Sequence, residues 1–340
     1  MNQHDGSKRN FLKAGLALGG AALAGRPAFA QGTSVTFRMS STLPNDPVNS
    51  AHAVWYNRFA SNLKSAVGDK IVVNYFPSDQ LGKEADMVQQ VRLGSVDMMI
   101  SGTSIWATLM PEMGVLDMGY LFKDNDHCGR ALDGKAGSIL GGMLADRTNV
   151  VALGWGYSLG ARNVWTKNQV PTDAALKGVK LRVLPVPNFI ATIKYMGAVP
   201  TPLPFGEIYT ALQTGVVDGF EHDAPTALAS KFYEVAKYCA LTQHIYNPQL
   251  PCISKRSFER IPADLRKPFQ DAATEATKYQ RTKAAEVEAS AFDKLKSMGL
   301  TVNTVDRAQL QKQVEKLWGE FTTQYPSVKP VVDEINSTRG

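Results

Sequence analysis

Pro204-Phe205-Gly206-Glu207-Ile208-Tyr209-Thr210-Ala211-Leu212-Gln213-Thr214-Gly215-Val216-Val217-Asp218-Gly219-Phe220-Glu221 holds a helix, a stop and a strand in sequence. Gly206–Thr214 reads as a helix. Gly215 ends it, because the position after a helix favours a left-handed backbone that glycine adopts freely. Val217–Phe220 then reads as a strand. A helix feeding straight into a strand is the repeating element of an α/β sheet.

The same alternation extends outward in both directions. Upstream, Val150–Trp155 and Lys180–Leu184 read as strands, with Asn188–Met196 as a glycine-ended helix between the units. Nearer the N-terminus, Val35–Met39 reads as a strand leading into the turn-rich loop Leu43-Pro44-Asn45-Asp46-Pro47. Ser50–Val67 follows with apolar residues at helical spacing (Ala53, Tyr56, Phe59, Ala60, Leu63) and Gly68 as its stop. Ile71–Phe76 is a β-branched and aromatic strand, Gly82–Leu93 a helix stopped by Gly94, and Val96–Ile100 a further strand. Two α/β units predict two lobes with a cleft between them, and ligands in such sheets bind where strands give way to loops. The expected division is 31–154 for lobe 1 with a return near 243–285, and 155–242 for lobe 2 with a C-terminal part near 286–340. After Pro262, Asp264–Ser297 reads as one helix of roughly 50 Å, long enough to brace both lobes.

Composition narrows the function. The 340 residues are 44% hydrophobic and 20% charged, with Gly (28) and Pro (18) at ordinary levels, which excludes low-complexity disorder and collagen-like repeats. The first 30 residues read as an export signal: the basic stretch Ser7–Lys13, the apolar run Ala14–Gly25 and the cleavage motif Ala28-Phe29-Ala30. That run is too short to span a bilayer. Lys8-Arg9 ahead of Phe11-Leu12-Lys13 resembles a twin-arginine signal in a Lys-Arg variant. Periplasmic export with cleavage near Ala30 is the expectation. The signal carries Lys8, Arg9, Lys13 and Arg26 against Asp5, half of the net charge of +6. No basic cluster with interleaved aromatics remains to hold nucleic acid. Cys128, Cys239 and Cys252 form an odd set, read as one pair with a lone thiol or as three lone thiols. No C-x-x-C, H-E-x-x-H or close His pair is present, so neither metal nor cofactor is expected.

Four motifs bear on chemistry. Gly156-Tyr157-Ser158-Leu159-Gly160 matches the G-x-S-x-G elbow of serine hydrolases. An elbow must open a helix, however, and Ala161–Trp165 reads as a strand. Arg182 sits within the strand Lys180–Leu184, and a buried strand arginine needs either an internal carboxylate or a bound anion. Trp155 and Tyr157 stand at a strand exit, and Trp106 lies a few residues past another; each fits a cleft wall or a core. Glu84 reads either as a first-turn helix charge or as a ligand contact.

The Pro204–Glu221 stretch closely resembles the hallmark segment of DctP-type solute receptors of TRAP (tripartite ATP-independent periplasmic) transporters. Gln80-Leu81-Gly82-Lys83-Glu84, Gly94-Ser95-Val96-Asp97-Met98, Lys177–Val183 and Lys237–Tyr246 stand in the order that family shows. The likeness runs from about Val35 to Tyr325.

The resemblance implies a type II-like periplasmic binding fold, two lobes closing on a small organic acid, and no catalysis. It implies that Arg182 grips the ligand carboxylate and that Arg162 joins it. Phe205 would pack on the ligand, and Glu84 would accept ligand hydroxyls. Where many members read Glu-Asn-Pro, this chain reads Glu221-His222-Asp223, so His222 takes a ligand-facing position with different chemistry and Asp223 follows it. The implied partners are the ligand, a hydroxy or sugar acid above all, and the membrane permease that receives it. The rivals are an exported serine hydrolase built on Ser158 and a ligand sensor that meets no permease.

Overall fold

The computed structural model describes residues 34–340; the expected export signal, in the first 30 residues, lies outside the described residues. The first sheet gathers five strands from residues 35–157 and a sixth from 248–254. Its strands are β1 (Val35–Ser41), β2 (Ile71–Phe76), β3 (Met98–Gly102), β4 (Val150–Ala152), β5 (Gly156–Tyr157) and β11 (Pro248–Ser254). Their order is β2-β1-β3-β11-β4, with β5 also on β11. β1 pairs parallel with β2 and β3, whereas β11 runs antiparallel to β3, β4 and β5. The second sheet holds β6 (Arg162–Thr166), β7 (Lys180–Val183), β8 (Val199–Pro202), β9 (Gly219–His222), β10 (Tyr238–Ile245) and β12 (Thr301–Thr304). Its order is β12-β10-β6-β9-β7-β8, again mixed.

Helices close the faces. In chain order they are α1 (Ala51–Val67), α2 (Glu84–Leu93), α3 (Asn125–Asp133), α4 (Lys135–Thr148), α5 (Pro187–Tyr195), α6 (Ile208–Thr214), α7 (Ala224–Ala229), α8 (Lys255–Glu259), α9 (Ala263–Ser297), α10 (Arg307–Gln324) and α11 (Lys329–Ser337). Ser50 caps α1 by accepting from the amide of Ala53, and Gly94 ends α2 at φ 74°, as its left-handed stop requires. The expected helix at Gly206 begins with a 3-10 turn (Phe205–Glu207) before α6 takes over at Ile208.

The long helix α9 serves both sheets. Its N-terminal half buries Phe269, Ala272, Ala273 and Ala276 with Phe37, Trp55 and Phe59 of the first sheet and α1. Its C-terminal half buries Ala291 and Leu295 with Trp165 and Phe220 of the second. The intervals of three and four residues put these side chains on one face. The chain passes between the sheets at two short links, 158–161 between β5 and β6 and 246–247 between β10 and β11, and a third time along α9 on the way from β11 to β12. Cys128, Cys239 and Cys252 are all buried and free.

Candidate functional site

A cavity with about 490 Å³ of empty space opens between the two sheets. The first-sheet side supplies Thr42, His52 and Glu84; the second supplies Arg162, Arg182, Phe205, His222 and Asp223. Ser158, Asn247 and Gln249 line it from the links and their borders. Six of the eight expected site residues therefore meet in one place. Trp155 and Tyr157 do not line this cavity. Trp155 packs into the core with Leu140 and Leu144 among others. Tyr157 packs against Gly129, where a Cβ would lie 1.9 Å from the tyrosine hydroxyl. The strand-exit rule is right about β5, but the side chains of its aromatics go to packing.

The two arginines differ sharply. β6 and β9 pair antiparallel with Val164 opposite Glu221, which sets the Glu221 carboxylate beside Arg162. Arg162 donates from Nε to Oε2 (2.5 Å) and from Nη2 to Oε1 (2.9 Å) and to the Glu221 carbonyl (2.9 Å). Burial alone would raise the Glu221 carboxyl, but the Arg162 guanidinium and the His244 ring together outweigh it and hold the acid down at about 2. Arg162 is thus an internal ion pair, with its ring-facing side 4.9 Å over Phe189.

Arg182 has no such partner. It is 1% exposed; Nε donates to the Leu203 carbonyl (2.8 Å), and the buried Nη2 has no hydrogen-bond partner. Burial, with Arg162 nearby, lowers its pKa to about 10, still charged at neutral pH. A buried guanidinium with a free donor is poised for a planar anion.

The surrounding groups can read the rest of a ligand. Burial and then Asp79 push Glu84 up to about 7, so it can both accept and donate near neutrality. His222 Nδ1 sits 2.9 Å from Asp223 Oδ2, and its ring meets Phe205 edge-on at 5.6 Å. Burial, then Arg162, lowers the His222 pKa and keeps the ring neutral. Asp223 also caps α7 by accepting from the Thr226 amide (2.9 Å). His52, which no motif marks, sits in the first turn of α1. Its Nδ1 pairs with Ser41 Oγ and its Nε2 with Gln249 Oε1, each at 2.8 Å, and burial lowers its pKa to about 4. The turn-rich loop before α1 was the available signal for His52; nothing in the sequence marks Asn247 or Gln249.

Ser158 is no nucleophile. Its hydroxyl donates to the Asn247 carbonyl (2.7 Å), no helix follows it, and β6 begins at Arg162. Among the described residues no group of His, Cys, Asp and Glu could hold a metal ion, and no helix is long and apolar enough to cross a membrane.

Residues 44–324 match the model of bacterial extracellular solute-binding protein, family 7 (DctP). The chain belongs to this family. DctP proteins are substrate-binding components of TRAP transporters and not enzymes. This DctP protein is 35% identical over 285 residues, 82% of its chain and 86% of the relative, to the 2,3-diketo-L-gulonate-binding periplasmic protein YiaO of Escherichia coli. A TRAP periplasmic solute-binding protein from Chromohalobacter salexigens with bound D-glucuronate superposes with a TM-score of 0.84 at 28% identity. The match covers 89% of this chain and 99% of that one. A counterpart from Sulfitobacter sp. with bound β-D-galacturonate gives 0.82 at 27% identity, with the same coverage of each chain.

Proposed function

We propose that this DctP protein is a periplasmic receptor for a sugar acid, a small monocarboxylate bearing several hydroxyls. Its carboxylate would sit on Arg182, and a TRAP permease would receive it. The carrying observation is the buried, unpartnered Nη2 of Arg182 in a cavity whose other arginine is neutralised by Glu221. One free buried cation suits one carboxylate. Glu84, His222, Asp223 and Gln249 offer hydroxyl partners around it, and the sugar acids bound by the relatives have this shape. The lobes would close by motion about the two links, after removal of the first 30 residues on export.

A thermal-shift screen of D-glucuronate, D-galacturonate and aldonates against glucose and galactose tests the reading. A ligand at a hundred times its Kd adds about 2.7 kcal/mol to native stability. The acids should raise Tm and the neutral sugars should not; the reverse pattern sinks the assignment.

A further inference from the structure

A second cavity, with about 500 Å³ of empty space, lies between the start of α5 and the end of α10. Asp117, a residue with no solvent exposure, borders it. Its Oδ1 accepts from Asn247 Nδ2 at 3.1 Å and the Ser104 hydroxyl stands beside the carboxyl, whereas Oδ2 has no hydrogen-bond partner. No lysine or arginine lines this space. The guanidinium of Arg162, whose charge reaches Asp117, is already spent on Glu221. The walls are otherwise mostly apolar, and two aromatic rings, Phe321 and Tyr325, stand together at 4.9 Å between centroids.

A buried carboxyl oxygen without a donor is costly, and an aromatic pair beside it offers negative ring faces. Together they suit a group with both N–H donors and a positive charge. We propose that this cavity is a second small-molecule site that takes an organic ammonium ion, its N–H groups on Asp117 and its hydrocarbon body against Phe321 and Tyr325. Burial pushes Asp117 up to about 8, so the empty site holds a protonated acid, and the incoming cation takes the place of that proton. The site is separate from the sugar-acid cavity; Asn247 lines that cavity and touches this one only through its hydrogen bond to Asp117.

The test titrates the full chain with phenethylammonium chloride and with its neutral counterpart 2-phenylethanol, followed by ligand-observed NMR. Saturable binding of the ammonium, at least tenfold tighter than the alcohol, is expected, with intermolecular NOEs to the Phe321 and Tyr325 rings. Asp117→Asn should weaken the ammonium at least tenfold while D-glucuronate binding persists. Ala107→Phe, which fills the cavity from a half-buried position, should block the probe without touching Asp117, and decides the matter should the first variant fail to fold. No saturable binding, equal affinity for the alcohol, or NOEs to Phe205 alone would overturn the proposal.

Discussion

Ser158 donates both its backbone N–H (3.1 Å) and its hydroxyl (2.7 Å) to one carbonyl, that of Asn247. The two residues belong to the two separate links between the sheets, so this single acceptor ties the links together. Gln249 Nε2 approaches the same oxygen at 3.3 Å. Asn247 carries the tie onward, donating to Ser104 Oγ at 2.9 Å and to Asp117. The serine of the G-x-S-x-G motif is therefore a fastener.

Ser158→Ala should lower unfolding free energy by about 1 kcal/mol, the worth of one buried hydrogen bond whose acceptor keeps other donors. Urea denaturation measures it. A fluorophosphonate probe should leave the parent protein unlabelled, and labelling at Ser158 would revive the hydrolase.

Arg182→Lys keeps a positive charge but loses the planar fork, so sugar-acid affinity should fall more than tenfold with the fold intact. Arg182→Met should abolish binding and raise the Tm of the ligand-free protein, because it removes a buried charge that has no counter-ion. Calorimetry and thermal scanning read the two effects separately. Unchanged affinity in Arg182→Lys would show that the carboxylate sits elsewhere.

Binding should weaken as pH rises through about 7. A carboxylate placed on Arg182 disfavours a second negative charge at Glu84, whose pKa is already about 7, so the acid takes up a proton when ligand arrives. Linkage then makes affinity higher where the proton is available, and Glu84→Gln should flatten that limb. The same sign holds for His222 at lower pH: its pKa is depressed in the empty protein, and a nearby anion raises it. Affinity should thus climb further below pH 6.5, and His222→Asn should remove that portion only. Calorimetry in buffers of different ionisation enthalpy counts the protons.

His52 gives a stability prediction of opposite sign to Glu84. Its folded pKa of about 4 lies below the unfolded 6.5, so its contribution is complete above pH 6.5 and is lost as pH falls towards 4. The full difference is about 3 kcal/mol at 1.36 kcal/mol per pH unit. Glu84, raised to about 7, gains stability over part of that range and masks the effect in the parent. The comparison of parent with His52→Asn isolates it: the parent should lose ground to the variant between pH 6.5 and 4. Parallel pH profiles would place the His52 proton balance elsewhere.

Much of the architecture could be read from local pattern, because glycine stops and β-branched runs act over a few residues. Arg182 was readable too, since a charged residue in an apolar strand is conspicuous by itself. The capture of Arg162 by Glu221 was not, because it depends on the pairing of β6 with β9, and register is a long-range property. His52, Gln249 and Asn247 escaped for the same reason: each becomes a cavity wall only when links and helix starts from distant parts of the chain converge. Trp155 and Tyr157 were placed by a rule about strand ends that says nothing of which face a side chain takes.

The three free thiols bear on how the protein matures. Burial pushes the pKa of each of them upward, leaving almost no thiolate to react with an oxidant. A native state whose three thiols are free needs no oxidative step and no disulfide isomerase. Refolding from denaturant should recover the same yield in reductant as in air once the thiols have been covered. Maturation is then governed by the collapse of two sheets onto one shared helix, with sulfur chemistry playing no part.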